Sequence, residues 1–261
     1  MERDTIDFYF FSGTGNTLLV IKEMIKIFME RGLKINLYRI EKTDPSKVNL
    51  DNIIGLAFPV AVQGTFPFIW DFIKSLPETD NDTPLFIVDT LASFSGGIKG
   101  TIRKIVSKKG YKTIGIREII MPSNLLPKKL DVEKNNRKIE KGLKKAREYA
   151  LDLLEDKTKW YPNPLSPILA ILSQSNKPWK LFRKLYRFTI DEEKCIKCGL
   201  CINLCPMENI SMSSYPVFDD RCVFCMRCIS FCPTEAIYIP NRKLERYHVV
   251  KAGELLNPSV F

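Results

Sequence analysis

The hydrophobic pattern of the first 126 residues alternates between short apolar runs and longer stretches with helical spacing. Ile53–Phe58 is an unbroken apolar run, as expected of a strand that is buried on both faces. In Leu18–Glu30 the apolar residues recur on one side of a helix. Strands are predicted at Asp7–Phe11, Lys34–Ile40, Ile53–Phe58, Leu85–Thr90 and Thr113–Ile120, and helices at Leu18–Glu30, Phe68–Ser75 and Ile98–Lys109. Strands that alternate with helices predict an α/β fold with a parallel sheet and right-handed crossovers.

The chain changes character after the predicted sheet. Asp131–Asp156 has the pattern of one long, highly charged helix that would close the sheet domain. Prolines within Trp160–Pro167 then interrupt regular structure, and Pro178–Phe188 is amphipathic and basic. We predict four parts: a sheet domain at 1–158, a basic amphipathic connector at 159–188, a cysteine-rich domain at 189–240 and a C-terminal tail at 241–261.

The positive charge is concentrated around this connector. The 261 residues include 40 Lys and Arg against 30 Asp and Glu, which gives a formal net charge of +10. Residues 127–190 hold 16 basic and 7 acidic residues, so this segment alone carries +9. The distribution indicates a local basic patch rather than a surface adapted to nucleic acid, and we expect no nucleic-acid partner.

The sequence also limits the compartment in which we expect the protein. Acidic residues precede a short apolar run at the N-terminus, whereas a signal peptide has a basic flank and a longer apolar stretch. No segment approaches the roughly 20 apolar residues that span a bilayer. All eight cysteines lie between Cys195 and Cys232, unlike the cysteines of a disulfide-rich secreted domain. We expect a cytoplasmic protein without a transmembrane segment.

Two cysteine runs carry the clearest indication of chemistry. The spacing C-x₂-C-x₂-C-x₃-C followed by proline occurs twice, with an offset of 27 residues between Cys195 and Cys222. Three closely spaced thiolates can hold one iron–sulfur cubane, whereas the fourth points away and serves the other cluster. The spacing therefore predicts two [4Fe–4S] clusters. The first is assigned to Cys195, Cys198, Cys201 and Cys232, and the second to Cys222, Cys225, Cys228 and Cys205.

Zinc is the alternative for these cysteines. A zinc site prefers two cysteine pairs separated by a longer loop, and two overlapping runs of four cysteines fit that arrangement badly. The second run continues as CPTEAI at 232–237, and with this feature the segment resembles the bacterial two-cluster ferredoxins. The first run continues as CPMENI, a difference that affects packing around the cluster but not its ligands.

A glycine-containing loop, Ser12–Thr17 (SGTGNT), lies between the first predicted strand and the first predicted helix. Such a loop directs backbone N–H groups and hydroxyls at an anion near the positive end of the helix. It lacks the Lys-Ser/Thr of a Walker A loop, and Leu18 stands where the dinucleotide fingerprint needs its third glycine. The composition suits a phosphate dianion, although a tight turn with a helix cap is the simpler alternative.

In its context this loop resembles the FMN phosphate loop of the flavodoxins. The resemblance implies a flavodoxin-like doubly wound sheet with strand order 2-1-3-4-5 and FMN outside the carboxyl ends of the strands. The loops Pro59–Phe66 and Thr90–Gly97 would wrap the flavin ring, with Phe66 or Phe94 stacked on it. The residues expected to bind FMN are Ser12, Gly13, Thr14, Gly15, Asn16, Thr17, Pro59, Val60, Ala61, Gly64, Phe66, Thr90, Leu91, Ala92, Ser93, Phe94, Gly96 and Gly97.

Together the two parts resemble the fused flavodoxin–ferredoxin proteins of the EFR type, called ferrodoxins. Phe58-Pro59 and Met121–Asn124 add to the resemblance. It implies an electron-transfer iron–sulfur flavoprotein of anaerobic metabolism that binds FMN and two [4Fe–4S] clusters and exchanges electrons with redox proteins. Because a cluster passes single electrons and a flavin holds one or two, their combination would convert between one- and two-electron steps.

Two other functions stay open at this point. One is an FMN-dependent reductase of a small organic substrate that is fed by its own clusters, and the other is a scaffold or assembly factor that has lost its flavin. No nucleophile–base pair is visible, and the only histidine, His248, lies in the charged tail. We therefore assign no catalytic residue and leave open whether the chain is an enzyme or a carrier.

The connector segment Pro178–Phe188 has two interpretations. Its apolar side, predicted to consist of Trp179, Phe182, Leu185 and Tyr186, would pack between the two halves and leave Lys and Arg in solvent. Alternatively, its basic side would dock an acidic electron carrier or make peripheral contact with an anionic membrane surface.

Overall fold

The first half of the chain forms a five-stranded sheet in a computed structural model that describes residues 3–125, 129–160 and 166–259. The strands are β1 (Thr5–Phe10), β2 (Lys34–Arg39), β3 (Ile53–Pro59), β4 (Pro84–Leu91) and β5 (Lys112–Ile120). All neighbours are parallel, and the strand order is β2-β1-β3-β4-β5. This order confirms the predicted flavodoxin-like sheet.

Helices cover both faces of the sheet, as a parallel sheet requires. The helices are α1 (Asn16–Glu30), α2 (Pro67–Ser75), α3 (Lys99–Lys108) and α4 (Val132–Leu154). Side chains of α1 and α4 share one apolar cluster with the sheet, and those of α2 and α3 share the other. The predicted long charged helix begins at Val132 because Asp131 caps it: the Lys134 amide donates to Asp131 Oδ1 over 2.9 Å.

The connector folds into a pair of helices that we call the α5–α6 hairpin, with α5 at Ser166–Gln174 and α6 at Asn176–Leu185. Trp179 is 2% exposed and packs against Phe66 of the sheet domain, as the packing interpretation of this segment expects. Leu185 is 59% exposed, and its assignment to the buried side was wrong. It lies off the helical line through Trp179, Phe182 and Tyr186. Residues 161–165 of the predicted proline-rich interruption lie outside the described residues.

The cysteine-rich part contains two small antiparallel sheets and two short helices. Its elements are β6 (Thr189–Ile190), α7 (Leu200–Leu204), β7 (Ile210–Met212), β8 (Pro216–Phe218), α8 (Arg227–Ser230) and β9 (Ile237–Tyr238), with β6 paired to β9 and β7 to β8. The segment predicted as a tail returns to the sheet domain through α9 (Ala252–Leu256), where Leu255 is fully buried. Across the described ranges, no helix is both long and apolar enough to cross a membrane.

A buried ion pair joins the cysteine-rich part to the sheet domain. Arg227 Nη1 contacts Glu41 Oε1 at 2.7 Å, and both side chains are 2% exposed. Arg227 Nε also donates to the carbonyl oxygen of Ser12 over 2.8 Å, and the guanidinium lies 4.3 Å from the centre of the Phe11 ring. Because Ser12 belongs to the predicted phosphate loop, this arginine fixes the position of that loop relative to the cysteines on either side of it.

We predict that Arg227→Met destabilises the chain by about 3–5 kcal/mol, because it leaves the Glu41 carboxylate buried without its partner. Replacing both residues, as in Arg227→Met with Glu41→Leu, should recover part of the loss, because no unpaired charge then remains. The measurement is the thermal unfolding midpoint of protein kept free of air.

The exposed pair Arg137–Glu133 on α4 provides the control, because surface pairs contribute at most about 1 kcal/mol. An Arg227→Met midpoint no lower than that of Arg137→Met would contradict this role of the buried pair.

Candidate functional site

A cavity of about 480 Å³ lies at the carboxyl ends of the strands, between the sheet domain, the α5–α6 hairpin and the cysteine-rich part. Its sheet-domain lining is Ser12, Gly13, Thr14, Asn16, Thr17, Pro59, Val60, Ala61, Val62, Gln63, Phe66, Thr90, Leu91, Ala92 and residues 121–125. Trp179, Phe182 and Tyr186 of the connector and Val223 and Phe224 of the cysteine-rich part complete it. All of these described lining residues are uncharged, so a ligand here meets an apolar wall with a few polar groups.

The predicted phosphate loop presents one free hydroxyl to this cavity. Thr14 Oγ1 is buried and has no hydrogen-bond partner among the described residues. The neighbouring hydroxyls are already used, because Ser12 Oγ accepts from the Leu18 amide and Thr17 Oγ1 bonds Thr90 Oγ1 at 2.8 Å. A buried hydroxyl without a partner is costly, and a bound anion would satisfy it.

The same loop is held rigidly from its other side. Gly15 has a φ of 108°, a conformation that favours glycine, and it directly precedes α1. The amide of Val249 donates to the carbonyl oxygen of Thr14 over 3.0 Å, and the Tyr247 hydroxyl donates to Asn16 Oδ1 over 2.6 Å. Burial raises the pKa of Tyr247, so the hydroxyl keeps its proton and remains a donor. The returning C-terminal segment therefore shapes the loop.

The loop after β3 makes a strained turn beside the cavity. Ala61 and Gly64 exchange backbone hydrogen bonds of 2.8 and 3.0 Å, and the two residues between them, Val62 and Gln63, have φ values of 51° and 63°. Left-handed conformations cost roughly 1–2 kcal/mol in residues with a side chain. Gln63 Oε1 is buried without a partner among the described residues, so this turn offers the cavity a second unsatisfied polar atom. Strain of this kind is typical of ligand-binding sites.

Seven of the residues predicted to surround a flavin ring do line the cavity: Pro59, Val60, Ala61, Phe66, Thr90, Leu91 and Ala92. The cavity does not reach the remaining predicted residues Gly15, Gly64, Ser93, Phe94, Gly96 and Gly97. Phe94 is 62% exposed, whereas Phe66 is buried against Phe11 and Phe68. Of the two phenylalanines proposed for stacking, only Phe66 therefore borders the cavity.

Gly64 and Gly97 are each closely approached by other parts of the chain. A Cβ at Gly64 would lie 2.0 Å from Ser173 Oγ of helix α5. A Cβ at Gly97 would lie 2.5 Å from the carbonyl oxygen of Gln63 and 2.9 Å from the backbone of Ala170 in α5. At these two positions the absence of a side chain therefore allows helix α5 to pack on the sheet domain.

Sequence reasoning missed the contribution of the connector and of the cysteine loop to this cavity. Trp179, Phe182 and Tyr186 were assigned only to packing between the halves, and Val223 and Phe224 were not singled out. Phe224 stands between two cysteines where the first repeat has Lys197. An aromatic residue at a position that is basic in the other repeat is the signal that could have identified it.

The eight cysteines are grouped as the interleaved assignment expects. Cys195, Cys198, Cys201 and Cys232 border one small cavity, and Cys205, Cys222, Cys225 and Cys228 border another. No three His, Cys, Asp or Glu side chains in the described ranges converge as ligands of a single metal ion. The thiols of each set instead surround a shared space.

The duplication seen in the sequence extends to the backbone. Lys197 and Phe224, which correspond in the two repeats, have φ values of 57° and 53°. Gly199 and Met226 have 72° and 67°, and Glu208 and Glu235 have 49° and 56°. The same unusual conformations at the same offset show that both repeats build the same loop around their cysteines.

Burial favours the protonated form of two thiols in the second cysteine set. It raises the pKa of Cys222 to about 11 and that of Cys225 to about 12, so both are thiols at neutral pH in the absence of metal. Iron is bound by the thiolate, and its binding must therefore release protons. The Cys222 sulfur already accepts from the Phe224 amide over 3.4 Å, a type of contact that tunes cluster potentials.

The second cysteine set is next to the predicted phosphate loop Ser12–Thr17. A Cβ added to Gly13 would lie only 2.6 Å from the carbonyl oxygen of Cys225, so the two backbones are in direct contact. His248, in contrast, is exposed and packs its ring on Phe231, 4.9 Å between ring centres. It is not part of the cavity lining.

Comparison with known proteins identifies the cysteine-rich part. Residues 188–239 match the model of a family described as the 4Fe-4S dicluster domain. The match confirms the iron–sulfur prediction for this part of the chain. No curated protein sequence gives a significant match to the chain.

Solved structures resemble the sheet domain only distantly. The flavodoxin of Streptococcus pneumonia TIGR4 is 17% identical, with 58% of this chain and 98% of that one covered and a TM-score of 0.44. The two-electron reduced flavodoxin of Megasphaera elsdenii is 16% identical, with 54% and 98% covered and a TM-score of 0.39. Rubredoxin oxygen:oxidoreductase from the anaerobe Desulfovibrio gigas is 10% identical, with 60% of this chain covered and a TM-score of 0.41. This chain spans only 37% of the length of the last protein.

We predict that pairs of cysteine substitutions distinguish interleaved clusters from one cluster per run. Cys205→Ser with Cys222→Ser removes two ligands of one interleaved set, so about four of about eight irons should remain. Cys195→Ser with Cys205→Ser damages both interleaved sets although both cysteines belong to the same run, so the iron content should fall further. The measurement is iron per chain after purification without air. The opposite ranking of the two variants would contradict the interleaved assignment.

Proposed function

We propose that the chain is an electron-transfer iron–sulfur flavoprotein that relays electrons between two [4Fe–4S] clusters and an FMN, as the resemblance to the EFR-type ferrodoxins implies. The observation that carries this proposal is the shared wall of the cavity. Val223 and Phe224, which lie between Cys222 and Cys225, line the same cavity as the loop Ser12–Thr17. A group bound in the cavity is therefore separated from the second cysteine set by one loop only.

The described residues fit FMN in this cavity. Its volume of about 480 Å³ lies within the usual range of cofactor sites, roughly 300–1,000 Å³. The unpaired Thr14 hydroxyl and the first N–H groups of α1 would bind the phosphate dianion, whose charge the helix N-terminus stabilises. The apolar and aromatic walls, including Trp179 and Tyr186, would cover the ring system. FMN supplies the capacity to take up one or two electrons.

The two cysteine sets would have different positions in the relay. Cys205, Cys222, Cys225 and Cys228 would hold the cluster beside the cavity, since Cys225 contacts the phosphate loop. Cys195, Cys198, Cys201 and Cys232 would hold the outer cluster, and Cys198 is exposed at the surface. Redox proteins that donate or accept electrons would approach this outer set. The parts proposed from the sequence, 1–158, 159–188, 189–240 and 241–261, would then act as one unit.

The lining of the cavity favours electron transfer over reduction of a small organic substrate. A reductase of this kind needs a group that delivers a proton to its substrate. The described lining residues include no carboxylate, histidine, lysine or arginine side chain. We propose that the protons and substrates of two-electron chemistry are handled by partner proteins.

Cofactor content and a single hydroxyl test this proposal. Protein purified without air should contain one FMN and about eight irons per chain.

Thr14→Val removes the free hydroxyl with little change in shape, and it should weaken FMN binding about tenfold to a hundredfold, as expected for the loss of a hydrogen bond to a charged group. The measurement is FMN titration of flavin-depleted protein that retains its iron.

Thr83→Val is the matched control, because the Thr83 hydroxyl donates to the Leu50 carbonyl oxygen, away from the cavity. This variant should lose about 1 kcal/mol of stability and keep its FMN affinity. Full iron content with no FMN binding would contradict the relay and leave a two-cluster iron–sulfur protein with another ligand in the cavity.

A further inference from the structure

The α5–α6 hairpin has an outward side that its packing does not explain. Its inward side is anchored by Ala170 and Ser173 of α5, which are fully buried, and by Trp179 of α6. The Trp70 indole nitrogen donates to Ser173 Oγ over 3.1 Å, which ties the hairpin to α2. The described side chains on its outward side differ sharply in composition from these.

Large aliphatic side chains on this outward side face the solvent. Ile168 and Ile171 on α5 are 65% and 63% exposed, and Leu181 and Leu185 on α6 are 54% and 59% exposed. Exposed aliphatic residues are ordinary when they are scattered singly, but a group of them on one element marks an interaction site. These four lie within 18 consecutive residues, and the aromatic residues of α6 point the other way, into the cavity.

The charge of the outward side has one sign only. Lys177, Lys180 and Lys184 of α6 are exposed beside the two leucines, and no carboxylate within the described ranges pairs with them in an ion pair. The sequence contains no Asp or Glu between Asp156 and Asp191, a stretch that holds seven Lys and Arg. A surface that covers this side meets only positive charge, and a negatively charged surface would therefore complement it best.

We infer that the α5–α6 hairpin binds an anionic lipid surface and holds the protein at the membrane as a peripheral component. Amphipathic helices that lie in the membrane interface combine lysines with aliphatic side chains that enter the acyl boundary. Protein interfaces, in contrast, are depleted in lysine and enriched in aromatic residues and arginine. The outward side has the lysines and aliphatic side chains of a membrane-surface helix, and its described residues lack the aromatic side chains and arginines of a protein interface.

This placement has a consequence for the cavity. Helix α6 lines the cavity with Trp179 and Phe182 and carries the lysines and leucines on its other side. A helix is about 10–12 Å across with its side chains, so the bound lipid headgroups would lie about one helix diameter from the cavity. Contact with the membrane is independent of which group fills the cavity.

The test is co-sedimentation of the loaded, air-free full chain with vesicles. One preparation contains phosphatidylcholine and phosphatidylglycerol in about equal parts, and the other contains phosphatidylcholine alone. We expect binding to the anionic vesicles, weakened by added salt, and little binding to the neutral ones. The combined variant Lys177→Gln, Lys180→Gln and Lys184→Gln should bind anionic vesicles about a hundredfold less tightly, since each basic residue contributes about 1 kcal/mol.

Helix α4 supplies the matched control, because Lys134→Gln with Lys141→Gln and Lys144→Gln makes the same change of charge at exposed positions away from the hairpin. This variant should bind almost as the unchanged chain does. Equal binding to both vesicle types, or an equal loss in the two lysine variants, would overturn the inference.

A second pair of variants separates a lipid surface from an acidic macromolecule. Leu181→Ser with Leu185→Ser should weaken binding to anionic vesicles by about tenfold or more, because the leucines no longer enter the acyl boundary. Ile196→Ser with Val217→Ser changes two similarly exposed residues in the iron–sulfur domain and should have no such effect. Binding that survives loss of the leucines but not of the lysines would overturn the inference and indicate an acidic protein partner.

Discussion

The contact between the phosphate loop and the second cysteine loop depends on one buried arginine. Arg227 follows Cys225 by two positions, neutralises Glu41 of the sheet domain and donates to the Ser12 carbonyl oxygen. A buried charge of this kind is tolerated only with its partner in place, so the halves have one favourable way to meet. That arrangement brings the carbonyl oxygen of Cys225 against Gly13, so the second cysteine loop borders the cavity beside the loop Ser12–Thr17.

The two cysteine repeats are alike in backbone but differ in what covers them. In the first repeat Lys197 lies over the ring of Tyr215, 4.2 Å from its centre, and Cys198 is exposed. In the second repeat Phe224 occupies the corresponding position, lines the cavity and packs against Phe182 and Tyr186. The two copies of the duplicated loop therefore differ in position: the first lies at the surface, and the second faces the interior. In the proposed relay, this asymmetry would place the exposed set at the outer end and the second set beside the cavity.

The fold and the cysteine grouping could be predicted from the sequence because their signals are local: buried strands read as apolar runs, and ligand spacing reads directly as C-x₂-C. The cavity wall could not be predicted from the sequence, because it depends on which distant segments of the chain meet. Gly64 and Gly97 illustrate the difficulty, since a glycine indicates that some group approaches closely but not which one; here the groups are Ser173 of α5 at Gly64, and Gln63 together with Ala170 of α5 at Gly97. Leu185 shows the same limit at a helix end, where a small rotation of the residue's position around the helix axis moves its side chain from buried to exposed.

The proposed relay is tested most directly by the rate at which electrons from the iron–sulfur domain reach bound FMN. The loaded chain is mixed, without air, with a reduced ferredoxin that is too large to enter the cavity, and the loss of oxidised-flavin absorbance is followed. We predict rapid flavin reduction in the unchanged chain. We also predict that reduction by this donor is lost in Cys205→Ser with Cys222→Ser, although the FMN remains bound. Reduction at an unchanged rate in that variant would contradict the claim that the second cysteine set connects the outer cluster to the cavity.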